Sequence, residues 1–118
     1  MQALISAYAR SPFHFARKGA LADVRPDALA AQVVTGLLKR TGIDPATLED
    51  VIAGCAYPEA AQGNNIARIV SLLAGLPHEV GGMTVNRFCG RPCPLFTSPP
   101  RRSRRAWARP FCASVSSP

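Results

Sequence analysis

The chain has no acidic residue after Glu79 and no lysine after Arg40. The asymmetry is sharpest at the end: residues 91–118 hold six arginines and no Asp, Glu or Lys, a net of +6. Residues 1–90 balance eight basic against seven acidic residues, a net of +1. Nearly all of the +7 carried by the 118 residues therefore belongs to the last 28. A basic chain ordinarily points to nucleic acid or an anionic surface, but here that inference attaches to the tail alone.

Long apolar runs are missing too. None approaches the roughly 18 residues of a membrane-spanning helix, so no membrane partner is expected. The opening "MQALISAYARSPF" has no basic region leading an apolar core, which argues against a secretory signal. Four cysteines, Cys55, Cys89, Cys93 and Cys112, lack the even spacing of a disulfide scaffold. Reduced thiols in a cytoplasmic protein are the expectation. "CGRPC" gives one C-x3-C spacing, yet Cys89, Cys93 and Cys112 have no matching second pair and no neighbouring His, so no metal is expected.

What is present alternates. "ALISAYA" (Ala3–Ala9) reads as a short buried strand. "RPDALAAQVVTGLLKRTG" (Arg25–Gly42) reads as an amphipathic helix with Pro26 and Asp27 in its first turn. Leu29, Val33 and Leu37 recur at helical spacing, Lys39 and Arg40 fill the last turn, and Gly42 ends it. An Asp-Pro turn precedes a strand near Val51–Cys55. "NNIARIVSLLAGLP" (Asn64–Pro77) predicts a second helix, capped by Asn and stopped by Gly75 and Pro77. "GGMTVNRFCG" predicts a third strand, Met83–Arg87, leading to Cys89. The alternation is that of an open α/β sheet.

A cysteine just past the end of such a strand, in a Gly turn, occupies a favoured ligand position of α/β folds. A helix starting there stabilises the thiolate, the nucleophilic form. The competing account is a small buried hydrophobe, and position alone leaves both open.

"ALISAYARSPFHFARKGALADVRPDALAAQVV", "IDPATLEDVIAGCAYPEAAQGNNIAR", "LLAGLP" and "VNRFCG" stand in the order found at the start of thiolases. Over Gln2–Gly90 the chain resembles that family, the acetyl-CoA C-acetyltransferases and 3-ketoacyl-CoA thiolases. The resemblance implies an α/β fold, namely the incomplete N-terminal half of a thiolase-type layered fold over residues 1–90. It implies that Cys89 is the nucleophile that takes an acyl group from acyl-CoA as a thioester. Acyl-CoA and CoA are then the partners, with no cofactor, and the family forms homodimers or homotetramers. Asn86, Arg87 and Gly90 match the turn around the nucleophile and are expected to position it. Arg68, in "NIAR", matches a position near the family's subunit contact, although a solvated or salt-bridged helix residue accounts for it equally well.

The resemblance stops after Gly90. Where thiolases continue with small residues opening a long buried helix, this chain has "RPCPLFTSPPRR", whose alternating prolines cannot propagate one. Arg-Pro-Cys-Pro-Leu-Phe-Thr-Ser-Pro-Pro can be back-translated so that reading from the third base gives Ser-Met-Pro-Ala-Leu-His-Ile-Ala. That run is similar to the pattern thiolases carry there. Residues 91–118 are therefore expected to be a frameshifted, disordered tail. The family's activating His and second Cys come from later in the chain. His14 and His78 lie in unrelated motifs, and Cys93 and Cys112 lie in the unmatched tail. A chain without that base is expected to be inactive alone and poorly soluble or partly unfolded. The alternative is a basic-tailed nucleic-acid or anionic-surface binding module built on Arg101, Arg102, Arg104, Arg105, Arg109 and Trp107. Specific nucleic-acid binding is not expected.

Overall fold

A computed structural model of the chain describes residues 7–15, 17–86, 88 and 111–115, the last five as backbone. The elements run α1 (Pro26–Thr41), β1 (Asp50–Cys55), α2 (Ile66–Leu73), β2 (Gly81–Val85) and β3 (Phe111–Val115). All strand pairs are parallel, in the order β2-β1-β3.

Helix α1 begins where the sequence predicts. Pro26 suits a first turn whose N–H has no partner to lose. The Asp27 carboxylate, 4% exposed, takes two bonds from the Arg25 guanidinium (2.7 and 3.1 Å) and one from the Ala28 N–H (2.8 Å). Those bonds hold its pKa below the usual carboxylate range, the hydrogen bond from Arg25 contributing most and burial opposing. Gly42, at φ 67°, closes the helix by donating its N–H to the Leu38 carbonyl.

The expected stripe Leu29–Val33–Leu37 is only half-buried and borders the N-terminal loop at Ala9–Pro12. Tight burial falls instead on Ala31 and Val34, because α1 packs on α2 and a small Ala lets the two backbones approach. The Arg40 guanidinium tethers the loop by donating to the Tyr8 carbonyl. Of the predicted strand Ala3–Ala9, residues 7–9 are not in a strand and residues 1–6 lie outside the described residues.

A turn of 3-10 helix at Pro45–Thr47 leads into the sheet, with Asp44 Oδ1 accepting from the Ala46 N–H at 3.0 Å. Strand β1 follows, buried continuously from Ala53 to Cys55. Val51, Ala53 and Cys55 are 0–2% exposed and pack with Ile66, Ala67 and Val70 of α2, themselves fully buried. Fully burying one side chain of Val or Ile size contributes about 1.5–3 kcal/mol, so this contact is the main cohesion of the fold.

Helix α2 is shorter than Asn64–Pro77, and Asn65 at its N-cap position makes no side-chain cap bond. Gly75 at φ 73° ends the helical turn, and the Leu76 N–H returns to the Ser71 carbonyl at 3.0 Å. Strand β2 starts two residues earlier than predicted and ends at Val85 rather than Arg87. Gly81 and Gly82 pair with Asp50 and Val51. A Cβ at Gly82 would sit 2.7 Å from the Arg68 backbone, so a bare backbone is what lets α2 lie on the strand.

Within 91–118 the structure describes one element, β3, in register with β1 from Val51↔Phe111 to Cys55↔Val115. "FCASV", with Phe and Val at its ends, suits a strand beside an apolar β1.

Candidate active site

Because the strands are parallel, their C-terminal ends share one edge of the sheet, where α/β folds place ligands. Cys55 closes β1 there. Its thiol, 2% exposed, donates to Gln62 Oε1 at 3.3 Å in the 3-10 turn Ala60–Gln62. The contact satisfies both groups in a buried setting and suits a structural thiol.

Next to it, the start of α2 is stitched to β2 by side chains. Thr84 Oγ1 accepts from the Ala67 N–H (3.2 Å) and donates to Asn65 Oδ1 (2.7 Å). Asn65 Nδ2 donates to the Gly82 carbonyl (2.7 Å). Thr84 thus serves one of the orphan N–H groups at the helix start, a task the N-cap residue usually performs. Asn65 is freed to hold the strand. Sequence reasoning missed this exchange, since an Asn before a helix signals a cap and nothing marks Thr84 as its substitute.

Beyond Val85 the chain turns. The Phe88 N–H donates to Asn86 Oδ1 at 2.9 Å, closing an Asx turn. Phe88 sits at φ 48° and is 71% exposed. Arg87, Cys89 and Gly90 lie outside the described residues, so the structure carries Asn86 to the position beside the predicted nucleophile and no further.

Arg68, on the first turn of α2, is held by its own chain. It donates to the Val80 carbonyl (2.6 Å) and the His78 carbonyl (3.2 Å), beneath the opposite edge of the sheet. No salt bridge of Arg68 is found among the described residues, where the one ion pair is Arg25–Asp27. His78 precedes β2 and so lies at the strand starts, across the sheet from the turn after Val85. His14 sits in the N-terminal loop, its Nδ1 accepting from the Ala20 N–H. Neither histidine is brought to the C-terminal edge by an element that also carries Asn86.

Among the described residues no three His, Cys, Asp or Glu side chains group in a way that could hold a metal ion. No described helix is long and apolar enough to cross a membrane. The arginines 101–109, Trp107 and Cys93 lie outside the described residues.

The model of the thiolase N-terminal domain matches residues 3–92, from the predicted first strand through the turn after β2. The chain belongs to the thiolase family. A 3-ketoacyl-CoA thiolase of Bacillus subtilis is 51% identical over 88 residues, covering 75% of this chain and 22% of the relative. One from Saccharophagus degradans is 47% identical over 88 residues, 74% of this chain and 22% of its own length. One from Shewanella oneidensis is 47% identical over 90 residues, 75% and 23% respectively. The chain thus spans under a quarter of the length of these relatives. Thiolases work on CoA thioesters without a resident cofactor.

Proposed function

We propose that residues 1–90 are the amino-terminal segment of a thiolase-type acyltransferase in which Cys89 carries the acyl group. The observation that carries this reading is the family match running through "VNRFCG", on a chain whose β2 ends at the ligand-binding edge of a parallel sheet. The Cys89 thiolate adds to the carbonyl of a 3-ketoacyl-CoA. The carbon–carbon bond breaks, acetyl-CoA leaves after protonation of its carbanion, and an acyl thioester remains on sulfur. The thiolate of free CoA then takes the acyl group and restores Cys89. A thiolate suits both halves, because the enzyme thioester keeps its carbonyl activated for the second attack. The same steps in reverse condense two acyl groups. We place the parent enzyme in the cytoplasm as a homodimer or homotetramer, with Arg68 retained as a candidate for the subunit contact.

The base and the oxyanion donors of this chemistry belong to the part of the relatives that the chain does not match, so the 118 residues alone turn over no substrate. Residues 91–118 are read out of frame. Three observations support this: the family match ends at residue 92, the arginine- and proline-rich stretch begins at residue 91, and one back-translation restores the family's pattern. Sequencing the DNA across the Gly90 codon tests the frame, and an uninterrupted, error-free gene overturns it. The function is tested by fusing residues 1–90 to the remaining part of a full-length relative. Thiolysis of a 3-ketoacyl-CoA by the fusion, abolished by Cys89→Ala, supports the reading. Thiolysis that survives Cys89→Ala defeats it.

A further inference from the structure

We infer that residues 8–15 of the N-terminal loop, with Arg17 and Lys18 beside them, dock on an anionic phospholipid surface. The inference is independent of the reading of Cys89. Tyr8, Phe13 and Phe15 are 82–84% exposed, more than any other large apolar side chain among the described residues. Cations stand between and beside the rings: Arg10 in the loop, the exposed Arg17 and Lys18 after it, and Arg40, which borders the same cleft. No Asp or Glu precedes Asp23, so the loop carries positive charge unopposed by its own sequence. The loop is also held in place. The Arg40 guanidinium donates to the Tyr8 carbonyl, the Ala20 N–H to His14 Nδ1 at 3.3 Å, and the Gly19 N–H to the Phe15 carbonyl at 2.9 Å. Holding three rings in water costs free energy that a partner recovers by covering them.

The pattern of rings and charges selects the partner. Protein interfaces keep an apolar centre depleted of charge within a polar rim. Here Arg10 stands between Tyr8 and Phe13, and Arg17 follows two residues after Phe15, so no charge-free centre exists. Single-stranded nucleic acid needs open ring faces for stacking. The Arg10 guanidinium lies over the Phe13 ring, 5.3 Å from its centroid, and His14 meets Phe15 edge to face at 6.5 Å. A lipid surface asks for neither arrangement. Rings enter the boundary between headgroups and acyl chains, while cations stay at the anionic headgroups. A chain without a long apolar helix can still lie on a membrane in this way.

The test is co-flotation of the full 118-residue chain with mixed phosphatidylserine–phosphatidylcholine vesicles, with pure phosphatidylcholine vesicles as the neutral control. Wild type is expected to float with the anionic vesicles and to stay behind with the neutral ones. Phe13→Ser with Phe15→Ser is expected to weaken binding about tenfold, from the apolar area no longer inserted. Arg17→Gln with Lys18→Gln is expected to weaken it about thirtyfold. Tyr57→Ser changes an exposed ring outside the loop and is expected to leave binding unchanged, which general stickiness would not do. The fused enzyme built on residues 1–90 lacks the six arginines of residues 91–118 and is expected to give the same ranking. Equal binding to neutral vesicles overturns the inference, as does an unchanged affinity in Phe13→Ser with Phe15→Ser, which assigns binding to charge alone. Loss of binding in the fused enzyme overturns it by making the loop a contact with the rest of the parent. Capture of a single-stranded oligonucleotide in place of vesicles, weakened by the same phenylalanine changes, overturns it in favour of nucleic acid.

Discussion

On one face of the sheet Val51, Ala53 and Cys55 are 0–2% exposed beneath α2. On the other, Ile52 is half-buried and Met83 is 42% exposed. Both faces belong to the same strands and differ only in which residues the pleat turns each way. Parallel sheets are ordinarily covered on both sides. Among the described residues the helices cover one, and the chain spans under a quarter of its relatives' length. The contrast assigns the fold's cohesion mainly to one interface, α2 on β1 and β2, with α1 packed against α2 and reaching β3. Substitutions at that interface and across from it should therefore differ strongly in cost.

The largest effect is expected at Gly82. Its Cβ would meet the Arg68 N and Cα at 2.7 Å, and backbone cannot swing aside as a side chain can. Gly82→Val should destabilise by about 3 kcal/mol, seen as a lower urea midpoint. A variant as stable as wild type would mean that α2 does not lie against β2.

Asn65→Ala comes next, at about 1 kcal/mol, because it removes the partner of both the Gly82 carbonyl and the Thr84 hydroxyl at an exposed site. Asn65→Asp keeps one acceptor for Thr84 and should lose less. The same urea titration ranks the three proteins, and equal losses would break the assignment of two roles to one carboxamide.

Asp27, in the first turn of α1, sharpens the comparison from the neighbouring helix. Its pKa is depressed in the fold, so its contribution is present above the ordinary carboxylate pKa and fades as pH falls through the folded value. Asn at 27 should be less stable than wild type near neutrality. The difference should shrink once pH drops below about 4. The exposed Arg25 partner keeps the effect small. A gap that widens in acid would reverse the sign and refute the pairing.

The smallest effect is expected opposite α2, at Met83. Met83→Lys should change stability by no more than about 0.5 kcal/mol, measured alongside Gly82→Val one residue away. A large loss there would show that this face is covered after all.

How much of this was legible beforehand varies with the kind of signal. Both ends of α1 could be read, because Pro26, Asp27 and Gly42 act through local backbone chemistry. Its buried face could not. Leu29, Val33 and Leu37 satisfy the helical period, but packing on α2 selected the smaller Ala31 and Val34, and that choice depends on a neighbour far along the chain. The start of β2 was misjudged for a similar reason. The predicted strand began at Met83, past the two glycines, and only the closeness of Arg68 explains why a strand needs one of them.

At the site, "VNRFCG" pointed to Cys89 through family resemblance, whereas the left-handed Phe88 and its bond to Asn86 have no signature in composition. Arg68 was legible as a notable residue but not as one bound to the carbonyls of His78 and Val80. The strand at Phe111–Val115 escaped because six arginines and the prolines around them set the character of the whole tail.

The most direct test of the account is intact-protein and peptide mass spectrometry of the fused enzyme, mixed with acetyl-CoA and quenched in acid. The expected result is one acetyl group per chain, held as a hydroxylamine-labile thioester on Cys89 and absent from Cys55. Full turnover with no acyl group on Cys89, or an acyl group on another residue that persists in Cys89→Ala, would contradict it.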